Sequence, residues 1–147
     1  MVLNGTGGAS TLTGRDFEQQ AMMVRTDGTD ISKTKLKRWM EQAGVEVTDY
    51  LSWVFQPDEA YFLPDTNEVI IYEKKSQHTA GSVDEKLGNC AWKIQEYKAL
   101  FGAIGIKKVS YIYIFNDWFK QPRYEKLLRY IRSVPDCDYF FWDDDNQ

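Results

Sequence analysis

The chain is predicted to fold as a mixed α/β (α+β) domain, with a central mixed β-sheet, an antiparallel hairpin inside it and helices around it. Three observations predict this. Two stretches of helical apolar period come first, an alternating β segment broken by Pro64-Asp65-Thr66-Asn67 follows, and the remainder alternates helix, strand, helix, strand. A length of 147 residues, 43% hydrophobic and 27% charged, suits one compact domain and leaves no room for a second. The expected organisation is a flexible arm at residues 1–13, the domain at 14–142 and a solvated acidic tail at 143–147.

Taken in order, Thr13 can cap a helix over residues 14–25 with Phe17, Ala21 and Val24 on one side and Glu18 off that stripe. A second helix, residues 32–43, has Leu36, Trp39, Met40 and Ala43 at core spacing and stops at Gly44. Its other faces carry Lys33, Lys35, Lys37 and Arg38, either a solvated surface or a phosphate-contacting one. Strands are expected at 50–56, 60–63 and 68–77, the last two joined by the turn at 64–67. Helix returns at Ser82, where Ser82 and Glu85 have capping-box spacing and Val83, Leu87, Cys90, Ala91, Ile94 and Phe101 trace one face. Gly102 and Gly105 end it. The nearly continuous apolar run 109–115 reads as a strand covered on both sides. Pro122 then opens a helix with Tyr124, Leu127, Leu128 and Ile131 inward, Pro135 closes it, and a short strand at 139–142 ends the fold.

The inventory excludes several chemistries. One histidine, His78, and two separated cysteines, Cys90 and Cys137, provide no ligand set for a structural zinc. Any metal must be a hard cation held by carboxylates. Cys90 falls on the apolar side of its helix, and the thiols fit a reducing, cytoplasmic setting. No run approaches a membrane span, and the Gly/Ser/Thr-rich start reads as neither signal nor anchor. The net charge of -4 is a weak veto on a polyanionic partner, because Asp143-Asp144-Asp145 supplies much of it from the terminus.

The chemistry is expected at Pro57-Asp58 and, after fourteen residues, Glu73-Lys74-Lys75. Alternation puts Glu73, Lys75 and Gln77 on one strand face with Val69 and Ile71, and turns Lys74 away. If Leu63 pairs with Glu68 across the turn, Asp58 stands opposite Glu73, and two carboxylates so placed repel unless a cation lies between them. Magnesium, with Mn2+ as a substitute, accepts one or two carboxylates, several waters and a phosphate oxygen. Lys75 could then position a water and offset charge on a phosphate under attack. Asp65, about 26 Å from Glu73 along an extended chain, reads as turn chemistry, and Glu59 should face away from Glu73. A one-residue slip of register would reverse these assignments.

Pro57-Asp58 followed by Glu73-Lys74-Lys75 resembles the signature of the PD-(D/E)XK nuclease superfamily, and the order of elements resembles its restriction-endonuclease-like core. The resemblance covers roughly residues 14–115. It implies a magnesium-dependent endonuclease acting on double-stranded DNA, of restriction or homing type, in which Asp58, Glu73 and Lys75 carry the chemistry. It also nominates Glu18, in Gly14-Arg15-Asp16-Phe17-Glu18, as a third metal-organising carboxylate, and Gln77, on the strand face of Glu73 and Lys75, is read as an assisting water or phosphate ligand. Stretch 77–87, with His78 and Lys86, resembles a loop-to-helix junction of restriction-type members, where either cation could meet a phosphate. Each of these also has a plain reading: a surface charge cluster, a solvated helix residue, a polar strand end. A core this small implies a homodimer or higher homo-oligomer for cutting both strands. The alternatives are a structure-specific nuclease such as a junction resolvase, and an inert nuclease-fold module that only binds DNA or a partner protein.

Overall fold

Asn67, in the left-handed region at φ 54, closes the turn at residues 64–67 and folds β2 (Glu59–Leu63) back on β3 (Glu68–Lys75). The computed structural model describes residues 14–51, 56–79 and 83–145. Within it, Leu63 pairs with Glu68 and Glu59 with Tyr72, the register that the turn and the alternation predict. A two-residue strand not expected from the sequence, β1 (Thr29–Asp30), adds antiparallel to the outer side of β2.

On its other side β3 pairs in parallel with β4 (Lys108–Phe115), and β4 in parallel with β5 (Cys137–Phe141). The five strands thus lie in sequence order, antiparallel over the first three and parallel over the last three. Parallel neighbours need crossovers. These are supplied by α4 (Cys90–Gly102) between β3 and β4 and by α5 (Glu125–Ser133) between β4 and β5. Because α4 runs back against the strands, its first turn lies over the C-terminal ends of β3 and β4.

Alternation sorts the sheet into two apolar faces. Val69, Ile71, Tyr111 and Tyr113 pack with Leu36 and Met40 of α2 (Lys35–Gln42), Ile94, Leu100 and Phe101 of α4, and Ile131 of α5. Opposite them, Tyr61, Leu63, Tyr72 and Ile114 meet Phe17 and Ala21, which belong to α1 (Gly14–Gln20) and the residue after it. Cys90 and Cys137 are both buried free thiols. Among the described residues no helix is long and apolar enough to cross a membrane.

Several elements depart from expectation. The first helix stops at Gln20 rather than Arg25, because the Met23 and Val24 N–H groups turn onto the Glu59 carboxylate at 3.1 and 3.2 Å. Val24 adopts φ 45 and is 64% exposed, so it is not the core residue its spacing suggested. The second helix begins three residues late: Ser32 is used at the sheet edge, where its Oγ accepts from the Ala60 N–H at 2.9 Å. Ala43, at its C-terminal end, is exposed.

At the expected strand 50–56, Val47–Asp49 is a 3-10 turn and Tyr50 caps it, while residues 52–55 lie outside those described. The third strand ends at Lys75, two residues early. The expected long helix from Ser82 divides into α3 (Val83–Lys86), a 3-10 turn at Leu87–Asn89 and α4. Ser82, and with it the capping box, lies outside the described residues, as do the arm 1–13 and residues 146–147. Pro122 opens a 3-10 turn, Pro122–Tyr124, ahead of α5. The last strand starts at Cys137, and Trp142–Asp145 forms one helical turn, α6, where a strand end and solvated tail were expected.

Candidate active site

Asp58 immediately precedes β2, so continuing the Glu59–Tyr72 register sets it opposite Glu73. The two carboxyl groups lie within hydrogen-bonding reach of each other. Asp58 Oδ2 also accepts the Lys74 N–H at 2.8 Å, which fixes its approach to the strand. Burial pushes the Glu73 carboxyl up to about 8, and the charge of Asp58 adds to the rise while Lys75 and Lys93 oppose it. Asp58 is raised too, by burial first and further by Glu18, against the Lys74 N–H and the Lys75 charge. Both shifts disfavour the doubly ionised pair, and a cation between the two carboxylates would compete with protons for the same oxygens.

Strand alternation separates the two lysines that follow. Lys75 shares the Glu73 face, and its charge acts on both carboxyls. Lys74 points to the opposite face, where its ammonium meets the Glu59 carboxylate at 2.8 Å with both side chains 1% exposed. Glu59 is held below the usual carboxylate range: burial works against it, and Lys74, Tyr61 and the Met23 N–H overcome that. Lys74 Nζ also reaches the carbonyl oxygen of Glu18 at 3.0 Å and the Met22 sulfur at 3.0 Å. The middle residue of Glu73-Lys74-Lys75 thus ties the end of α1 to the sheet. That tie sets Glu18 beside the hairpin carboxylates.

The Glu18 side chain is 33% exposed and its carboxylate pairs with Lys33, whose side chain is 58% exposed. Its charge reaches Asp58, as the Lys33 charge reaches Asp58 and Glu73. Lys33 is therefore not a helix-face residue but stands before α2, at the site. Of the other predicted cations, Lys35 pairs with Asp30 at 2.8 Å, and Lys37 and Arg38 are exposed on α2. Lys86 is exposed at the end of α3, where its charge reaches Lys93, and His78 is exposed just past Gln77. Asp65 sits in the exposed turn, as expected.

Two residues at the site were missed from the sequence. Lys93, in the first turn of α4, shares the stripe of Cys90, Ile94 and Tyr97; burial lowers its pKa, and Glu73 and Asp58 oppose the drop. The signal was a lysine on an apolar helical stripe. Asn116, just after β4, splints the end of β3. Its backbone N–H donates to the Lys75 carbonyl at 3.3 Å, its Nδ2 donates to the Gln77 carbonyl at 2.9 Å, and its Oδ1 accepts the Gln77 N–H at 3.3 Å. Gln77 is thus held by its backbone, with its side chain half-buried.

Among the described residues no three carboxylate, thiol or imidazole side chains converge tightly enough to form a ready-made metal cage. Glu18 is turned onto Lys33, which leaves a facing pair. A facing pair is enough for a hard cation that completes its shell with water and phosphate. Comparison with known proteins gives no match to a family, to a curated protein or to a solved structure.

Proposed function

We propose that the chain is a magnesium-dependent endonuclease that hydrolyses phosphodiester bonds of double-stranded DNA. The observation that carries the reading is the Asp58–Glu73 pair, two carboxyls facing each other at the end of a hairpin with Lys75 on the same face. The element order supports it further: an antiparallel hairpin bearing the acids, a crossover helix and a parallel strand are what a restriction-endonuclease-like core requires.

Asp58 and Glu73 would hold Mg2+ or Mn2+, and Glu18 would join them once it leaves Lys33. The bound ion would supply charge neutralisation on the phosphate and a more acidic water. The chain's own groups do the rest. Lys75 orients the attacking water and offsets the charge that develops on the phosphate oxygens. Lys93, on the other wall, adds a second positive charge over the same point. Asn116 keeps the end of β3 straight, so Lys75 stays aligned with Glu73. Water attacks phosphorus in line as the opposite P–O bond breaks, the attacking water giving up a proton to solvent and the leaving oxygen taking one up from it.

Lys33, Lys35, Lys37, Arg38, His78 and Lys86 are the groups proposed to meet the DNA backbone, with Gln77 assisting at the scissile phosphate. Site-specific cutting by so small a core calls for a homodimer or higher homo-oligomer. The test is incubation with plasmid, linear and branched DNA in Mg2+ or EDTA. Discrete plasmid fragments in Mg2+ alone, lost in Asp58→Asn and Lys75→Met, are expected. Cutting only at branches would make the chain a junction-resolving enzyme, and full cutting by both variants would remove the assignment.

A further inference from the structure

Lys33 is held in an uncommon way for a lysine near a surface. Its φ of 50 lies in the left-handed region, which costs a side-chain-bearing residue free energy. Its N–H donates to the Pro57 carbonyl at 2.8 Å, joining it to the peptide that carries Asp58. Its neighbour Ser32 is buried and exchanges hydrogen bonds with Ala60, which fixes the chain just before it. The strained turn aims the ammonium at Glu18. An exposed ion pair returns little stability, less than such strain typically costs, so stability alone does not account for the arrangement.

We propose that Lys33 is the resident counter-ion of the Glu18–Asp58–Glu73 cluster, surrendering Glu18 when a divalent cation binds and moving to the DNA phosphate that follows. This inference rests on the nuclease reading of the site. Glu18, Asp58 and Glu73 bring three acidic side chains to this end of the hairpin, and Lys33 pairs with the first and is tied through its N–H to the peptide of the second. Asp58 and Glu73 would hold the divalent ion, whose charge would repel the ammonium and attract Glu18. The Lys33 side chain, 58% exposed, can swing outward without leaving water. There it meets the incoming phosphate, while its backbone stays fixed to Pro57. The same residue thus restrains metal binding before DNA arrives and favours DNA afterwards.

The test is calorimetric titration of the full chain with Ca2+, followed by duplex binding in Ca2+, for wild type, Lys33→Met, Lys33→Gly, Lys33→Arg and Asp58→Asn. Glycine adopts the positive φ freely, so Lys33→Gly removes the charge while relieving the backbone. Both neutral variants should bind Ca2+ roughly three- to tenfold more tightly and the duplex weaker by a similar factor. Lys33→Arg should restore both values. Unchanged Ca2+ affinity in both neutral variants, with wild-type binding abolished in Asp58→Asn, would overturn the role of Lys33 and leave the metal site standing. Absence of any Asp58-dependent Ca2+ binding in wild type would overturn both.

Discussion

Replacing Glu73 by glutamine should make the metal-free protein more stable at pH 8 and leave it nearly unchanged at pH 4.5. The Glu73 carboxyl stands at about 8 in the folded chain and near its ordinary 4.5 when unfolded, so folding favours its protonated form. Its contribution is fully present below pH 4.5 and is lost as pH rises through about 8. At pH 7 the folded chain must keep a proton that the unfolded chain has released, which costs about 3 kcal/mol, from about 1.4 kcal/mol for each pH unit above the unfolded value. Glutamine carries no charge and can donate to Asp58 as the protonated acid does. For a chain of this size the difference corresponds to roughly 6–12 °C in Tm. Thermal unfolding followed by circular dichroism in EDTA, from pH 4.5 to 8.5, measures it directly. Parallel pH profiles for wild type and Glu73→Gln would refute the reasoning. Added Mg2+ should reverse the ranking, stabilising wild type and not the variant, since protons and metal compete for the same oxygens.

The adjacent lysines should separate by phenotype. Lys74→Met strands the buried Glu59 carboxylate and should cost about 3–5 kcal/mol in urea unfolding. Lys75→Met should change stability by less than about 1 kcal/mol and lower the cleavage rate roughly a hundredfold or more, measured on plasmid substrate. Asn116→Ala frees the Gln77 backbone and should cost about 1–3 kcal/mol, with amide exchange at Gln77 rising more than in the centre of β4.

The hairpin was legible because two independent signals agree on it. The Pro64-Asp65-Thr66-Asn67 turn fixes where the chain reverses, and alternation fixes which side chains share a face, so Asp58 opposite Glu73 follows by counting. Glu59 and Lys74 were assigned to the reverse face by the same count. Their pairing with each other was not legible, because it depends on α1 ending above them. Val24 misled because apolar spacing continues past Gln20, whereas the backbone is captured there by Glu59. Lys33 looked like one cation among several on a helix, until Ser32 proved to be engaged at the sheet edge. Lys93 and Asn116 reach the site only through the parallel β3–β4 pairing, a contact between distant segments that local periodicity does not encode.

The most direct measurement is anomalous diffraction from crystals grown with Mn2+ and an uncleaved duplex. A peak about 2.1 Å from carboxylate oxygens of both Asp58 and Glu73, beside a phosphate, is expected. Asp58 and Glu73 still hydrogen-bonded to each other, with manganese bound elsewhere or not at all, would contradict it.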